Sequence, residues 1–205
     1  MNIDLESVFF NYKDTPIVQN LNYCFDDGIY LIRGKSGIGK TTILNLIIGY
    51  IQPITGRIKR ENAKIEYMMQ ETMLFNNLTV KENLFLKHNI NTVFEKDSFN
   101  ELINSKLQEI GLDTDIVDKK VSYLSGGQKR KLELVLISLN DANVFLMDEP
   151  IANLDEESIE QIVYYIENNL MVNKIVIISS HSKMNFTCNV KFIELENYTL
   201  KNKKM

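Results

Sequence analysis

The segment Gly34-Lys35-Ser36-Gly37-Ile38-Gly39-Lys40-Thr41 constrains the fold of this chain more than any other stretch. It satisfies G-x-x-x-x-G-K-[ST] at every fixed position, a pattern that works only between a strand and a helix. Both flanks are suitable. Residues 29–33 read as a short buried strand, and Thr42 opens an apolar run that reads as a helix to residue 48. Glycines let the backbone wrap an anion with successive N–H groups pointing inward. The helix start adds the positive end of its dipole. Gly34, Lys35, Ser36, Gly37, Ile38, Gly39, Lys40, Thr41 and Thr42 are therefore the candidate phosphate-binding residues. Lys40 is expected to reach the outer phosphates of a nucleoside triphosphate, and Thr41 to offer its hydroxyl to Mg2+.

A loop of this kind needs a sheet to carry it. Residues 3–10 read as a strand, residues 58–69 as two more parted by Arg60-Glu61-Asn62, and residues 190–194 as a last one. Val144-Phe145-Leu146-Met147 and Ile175-Val176-Ile177-Ile178 are apolar throughout, as strands buried on both faces are. Between strands the period changes. Phe99, Leu102, Ile103, Leu107 and Ile110 recur at helical steps and end at Gly111, where a C-cap glycine belongs. Ile159, Ile162, Val163, Ile166 and Leu170 mark another helix, with Asp155, Glu156 and Glu157 in its first turn, where the dipole favours anions. The expectation is a single α/β domain over residues 1–205. Its core would be about 1–70 and 140–205, built on a mostly parallel sheet with an antiparallel β-region. A helical subdomain would be inserted at about 71–139. The short stretch from Gly56 to Gln70 predicts a trimmed antiparallel region, and the chain ends too soon after residue 194 for a regulatory domain.

Composition narrows the function. At 205 residues and 44% hydrophobic content the chain buries a core without disulfides. Cys24 and Cys188 read as reduced core thiols. Lys plus Arg total 23 against 27 for Asp plus Glu, so a generally basic nucleic-acid binder is excluded and no nucleic-acid partner is expected. The longest apolar run, residues 43–51, is interrupted by Asn45 and Gly49 and falls far short of the ~20 residues of a spanning helix. The first residues lack the basic start of a signal peptide. A cytoplasmic protein is expected, reaching a membrane only through a partner. Lys201-Asn202-Lys203-Lys204 reads as a solvated tail.

Two further motifs complete the site. Asp148 and Glu149 close the apolar strand 144–147, which is expected to run beside the strand feeding the phosphate loop. Asp148 then holds Mg2+, and Glu149 takes a proton from an attacking water. Leu124-Ser125-Gly126-Gly127-Gln128 stands 20 residues before Asp148. Read locally, it caps a helix running to about residue 139, and a Ser cap followed by two glycines also makes an anion site.

With these three motifs the chain resembles, over nearly its whole length, the nucleotide-binding ATPase subunits of ATP-binding-cassette (ABC) transporters. The resemblance implies a P-loop NTPase core that binds ATP and Mg2+ and hydrolyses ATP to ADP and phosphate. It implies that Ser125, Gly126, Gly127, Gln128 and Asp155 meet ATP held by a second copy or by another ABC ATPase subunit. It places Tyr12 as an adenine-stacking aromatic and Gln70 as the Q-loop glutamine that touches Mg2+ or the attacking water. Ala152-Asn153-Leu154-Asp155 matches the D-loop, and His181 the switch histidine facing the γ-phosphate. The catalytic set it implies is Glu149, His181, Gln70 and Lys40, and the metal set Thr41, Gln70 and Asp148. His88 has no such context and reads as a surface residue. Gln128-Lys129-Arg130-Lys131 continues the signature with basic residues, as is usual.

The partner implied is a separate transmembrane permease, which would hold the chain on the cytoplasmic face of the membrane. Met73-Leu74-Phe75-Asn76-Asn77-Leu78-Thr79-Val80-Lys81-Glu82-Asn83 looks like the Q-loop exit of small exporter subunits, and the Ala152-Asn153-Leu154-Asp155 D-loop resembles those paired with lipoprotein-release, peptide or bacteriocin-export permeases. Met73, Leu74 and Phe75 are expected to form an apolar groove that a short helix of the permease enters. The competing reading is a soluble ABC ATPase acting as an assembly or regulatory module. A phosphate-loop kinase of small molecules is disfavoured by the 124–128 motif.

Overall fold

The computed structural model describes residues 1–13, 15–89 and 96–195. Eight strands form among them: β1 (Ile3–Tyr12), β2 (Thr15–Phe25), β3 (Gly28–Arg33), β4 (Thr55–Lys59), β5 (Ile65–Met68), β6 (Val144–Asp148), β7 (Ile175–Ser179) and β8 (Val190–Glu194). The helices are α1 (Lys40–Ile48), α2 (Val80–Asn89), α3 (Lys96–Glu109), α4 (Gly126–Ser138) and α5 (Glu156–Asn169). Five strands make a parallel sheet in the order β5-β6-β7-β3-β8, and three make an antiparallel sheet, β2-β1-β4.

The apolar runs have a direct cause. Successive side chains on a strand point to opposite faces, and the parallel sheet is covered on both. Ile29, Leu31, Phe145, Met147, Val176 and Ile178 pack on one side against Ile103 of α3, Leu132 of α4 and Ile162 of α5. Tyr30, Ile32, Val144, Leu146, Ile175 and Ile177 pack on the other against Leu44 and Ile47 of α1 and against Leu5 and Phe25 of the antiparallel sheet. Residues 29–32, 144–148 and 175–179 are all buried, so the three inner strands stay apolar up to their carboxyl ends, where the site lies. Gly111 closes α3 as expected. Its φ is +72°, its N–H donates to the Gln108 carbonyl at 3.0 Å, and a Cβ there would lie 2.6 Å from the Gln161 side chain.

Arg60-Glu61-Asn62 lies between two strands, as expected, and they belong to different sheets: β4 pairs antiparallel with β1 while β5 pairs parallel with β6. Three expectations change. β2 has no counterpart in the sequence reading, yet it pairs with β1 along its length. The acidic strand β6 does not run beside β3. The aliphatic β7 lies between them, at the centre of the five-stranded sheet. Cys24 is exposed, since on β2 it points away from the inward-facing Leu21 and Phe25, and Cys188 is only half-buried. The side chain of His88 and residues 201–204 lie outside the described residues. Among those described, no helix is long and apolar enough to cross a membrane.

Candidate active site

The phosphate loop runs from the carboxyl end of β3 into α1, whose N-cap is Gly39 at φ +112° with no side-chain cap. The first N–H groups of α1 are thus free of side-chain partners at the cap. Only glycine fits at this position, because a Cβ would lie 2.5 Å from Ile17 Cγ2. Gly37, at φ +78°, faces open space on the concave side. Lys40 is buried and bends back over the loop. Its Nζ donates to the carbonyls of Gly34 at 2.9 Å and Lys35 at 3.3 Å, and pairs with Glu149 Oε1 at 3.3 Å.

The ends of β6 and β7 face this loop. Thr41 Oγ1 donates to Asp148 Oδ2 at 2.6 Å, and the Ser179 hydroxyl donates to Asp148 Oδ1. β7 intervenes between β3 and β6, yet the first turn of α1 reaches across it. Glu149 follows Asp148 at φ +49°, a left-handed conformation that costs a non-glycine residue ~1–3 kcal/mol. Its N–H donates to the carbonyl of Ser179 at 3.0 Å and to its hydroxyl at 3.1 Å. Its carboxylate is suspended between Lys40 on Oε1 and His181 on Oε2, where His181 Nδ1 lies at 2.8 Å and the His181 N–H at 3.3 Å.

These groups open on a cleft of about 520 Å³ lined by Tyr12, Ile17, Ser36, Gly37, Gly39, Lys40, Thr41, Thr42, Gln70, Glu149, Ala152, Asn153 and His181. Tyr12 is half exposed at the cleft, and its ring lies perpendicular to that of Phe10, with ring centres 4.9 Å apart. Gly34, Lys35 and Ile38 were expected among the phosphate contacts and do not line the cleft. Lys35 is exposed, and Ile38 turns into the core beside Gly34. Ile17 joins the site from β2, the strand that the sequence reading missed. Among the described residues no group of three or more His, Cys, Asp or Glu side chains is placed to hold a metal by itself. The Thr41 hydroxyl and the Asp148 carboxylate are nonetheless a fitting pair for Mg2+, which takes one or two carboxylates and completes its shell with phosphates and water.

The 124–128 segment lies to one side. Ser125 caps α4 in a reciprocal box. The Ser125 hydroxyl accepts the Gln128 N–H at 3.2 Å, and Gln128 Oε1 accepts the Ser125 N–H at 3.0 Å. Gly126 lines a second cleft of about 490 Å³ that shares Gln70, Glu149, Ala152 and Asn153 with the first. Asp155 caps α5, and the Ser158 N–H on its carboxylate, at 2.8 Å, holds its pKa below the usual range.

Beneath the site lies a pair of which the sequence marks only Arg130, within the basic continuation of the signature. Arg130 and Glu133 are buried and bridge at 2.9 Å. Arg130 also donates to the carbonyls of Met69 (2.7 Å), Asp148 (2.8 Å), Glu149 (3.1 Å) and Pro150 (3.3 Å). Glu133 accepts the Met73 N–H at 2.6 Å. Burial pushes its carboxyl above the usual range, opposed by that N–H and by Arg130. The visible clue was spacing, since Arg130, Glu133 and Ile137 share one helical face and all are buried.

Met73 and Phe75 are 71% and 61% exposed, whereas Leu74 is buried. Met73 and Leu74 border a small groove of about 120 Å³ with Tyr67, Met68, Met69, Leu136 and Ile137, and Phe75 stands outside it. Asn83 holds this loop in shape. Its Oδ1 accepts the Phe75 N–H at 2.8 Å, and its Nδ2 donates to the carbonyls of Phe75 and Thr79 at 3.1 and 2.9 Å.

Comparison with known families agrees with this arrangement, since residues 18–152 match the ABC transporter family model. The chain belongs to the ABC transporter family. It is the nucleotide-binding, ATPase part of such a system. The putative hemin import ATP-binding protein of Staphylococcus haemolyticus is 30% identical over 202 residues, which cover 89% of each chain. The Nod factor export ATP-binding protein I of Neorhizobium galegae is 30% identical over 195 residues, covering 88% of this chain and 55% of that one. Other curated ABC relatives are longer, and this chain spans 28% and 43% of two of them. A solved putative ABC transporter ATP-binding protein from Pyrococcus furiosus superposes with a TM-score of 0.84 at 24% identity, covering 98% of this chain and all of that one. That likeness is one of fold.

Proposed function

We propose that this ABC ATPase powers a separate membrane permease in the export direction, working as a pair of cassettes on the cytoplasmic face. The observation that carries the catalytic half is the suspension of Glu149 between Lys40 and His181, beside the Thr41–Asp148 pair. Lys40 now neutralises Glu149 Oε1. Phosphate oxygens entering the loop compete for that ammonium, and as Lys40 turns to them Oε1 is released to act as a base. His181 keeps hold of Oε2, so the carboxylate stays aimed while it takes the proton of the attacking water. The imidazole edge is itself exposed toward the cleft, where the γ-phosphate would lie. Thr41, Asp148 and Gln70 would hold Mg2+, which when bound offsets charge on the β- and γ-phosphate oxygens. Tyr12, half exposed at the cleft, is the aromatic available to stack on adenine.

The pair reading rests on the start of α4, where the Ser125 cap is spent on the Gln128 N–H rather than on those of the two glycines. Gly126 and Gly127 present N–H groups at a helix N-terminus, which suits the γ-phosphate of nucleotide held by a second cassette. Residues 71–139 would then act as the helical subdomain that carries both this start and the apolar groove. Exposed Met73 and Phe75 support docking of a permease helix there. The export direction rests on the likeness of residues 73–83 to exporter subunits, since the relatives include both import and export proteins.

Fractionation of native-host membranes tests the transport half. The tagged chain should sediment with membranes, and a Phe75→Asp variant should move to the soluble fraction with its ATPase rate intact. A wild-type chain found only in the soluble fraction would replace this reading with a non-transport ATPase module.

A further inference from the structure

We infer that the buried Arg130–Glu133 pair is a positioning unit for hydrolysis, fixing the backbone that aims Glu149 and tying it to both sides of the Gln70 loop. The inference rests on the reading of Glu149 as the base. Glu149 sits at φ +49°, which a glutamate does not hold unless its surroundings over-determine it. One guanidinium supplies much of that constraint, because three successive carbonyls, those of Asp148, Glu149 and Pro150, converge on Arg130. The remaining reach of the fork goes to the Met69 carbonyl, immediately before Gln70. Glu133 balances the charge and takes the Met73 N–H, just after the Gln70 loop. A shift at the exposed Met73 end of that loop therefore reaches the Glu149 peptide through a single ion pair. Lysine cannot replace the fork, since a point ammonium does not span five acceptors lying in different directions.

A purely structural pair would behave differently. Buried ion pairs can be exchanged for apolar residues of similar size with little loss of stability, so folding and positioning can be separated. The full chain is compared as wild type, Arg130→Lys, the double variant Arg130→Met with Glu133→Leu, and Glu149→Gln. Each is measured for kcat and KM with Mg-ATP and for melting temperature. The double variant removes the orphaned charge but still leaves the four carbonyls without the Arg130 donor, so it should melt below wild type and above Arg130→Met. The positioning role predicts that, well below that melting temperature, its kcat falls ~10- to 100-fold, the scale of a small misplacement of a reacting group. KM should stay within about twofold, because the phosphate loop is untouched. Arg130→Lys should show the same split between kcat and KM well below its melting temperature, which keeps the test open if the double variant does not fold. Wild-type kcat in either folded variant overturns the positioning role while Glu149→Gln is inactive. Full turnover by Glu149→Gln sinks the underlying reading of the base, and this inference with it.

Discussion

Removing Arg130 while leaving Glu133 in place should be among the most destabilising single changes in this chain. In Arg130→Met the Glu133 carboxylate, whose side chain is only 7% exposed, loses its cation and keeps one N–H, that of Met73. Four backbone carbonyls lose a donor at the same time. Breaking a buried pair from one side costs ~3–5 kcal/mol. At ~2–4 °C per kcal/mol for a domain of this size, the melting temperature should fall by roughly 6–20 °C. The deficit should also depend on pH. Burial already raises the Glu133 carboxyl above its ordinary value of 4.5, and without Arg130 the rise is larger. A raised carboxyl means that the fold favours the protonated form. The group weighs on stability least below its unfolded pKa and progressively more as pH climbs through its folded pKa. Calorimetry at about pH 5 and about pH 7.5 should therefore show a smaller deficit at the lower value. A deficit below ~1 kcal/mol, or one equal at both pH values, would refute the idea of an orphaned buried charge.

Other expectations follow from single contacts. Lys40→Ala should weaken ATP binding about tenfold to a hundredfold, since charge-assisted contacts are worth ~1.5–3 kcal/mol and the exposed Lys35 is not placed to substitute. Titration with a fluorescent ATP analogue measures this, and unchanged affinity removes Lys40 from the phosphate site. Asn83→Ala should speed amide exchange over residues 73–79 and cost ~1–3 kcal/mol, because it leaves the Phe75 N–H and the carbonyls of Phe75 and Thr79 without their partner. Wild-type exchange there would mean that the loop is held by something else. Glu149→Gln with Mg2+-free ATP should elute from a sizing column as a dimer and with ADP as a monomer. A monomer in both, despite bound ATP, would contradict the paired-cassette reading.

The site was legible where chemistry demands fixed spacing along one segment. Gly34 to Thr41 and Asp148-Glu149 could be read because a phosphate loop and a strand end are local objects. Apolar strands 144–147 and 175–178 could be read because both faces of the sheet are covered. β2 could not. Its inward residues Val18, Leu21 and Phe25 break the period of two, since bulges interrupt its register with β1. Ile17, and with it the reason that position 39 must be glycine, was lost with that strand. Arg130 and Glu133 look like any exposed helical ion pair until the fold brings distant carbonyls onto the guanidinium. Strand order was equally hidden, because nothing along the chain says that β7 enters between β3 and β6.

The central claim is that Glu149 is the base of an ATPase whose nucleotide is held by other residues. Single-turnover hydrolysis by Glu149→Gln, with ATP binding measured on the same sample, tests it most directly. The substitution keeps a carbonyl oxygen for Lys40 and an amide near His181, so the site retains its shape. Bound ATP should remain within a few-fold of wild type while cleavage slows by ~10²–10⁴. Cleavage at the wild-type rate with ATP fully bound would contradict the account.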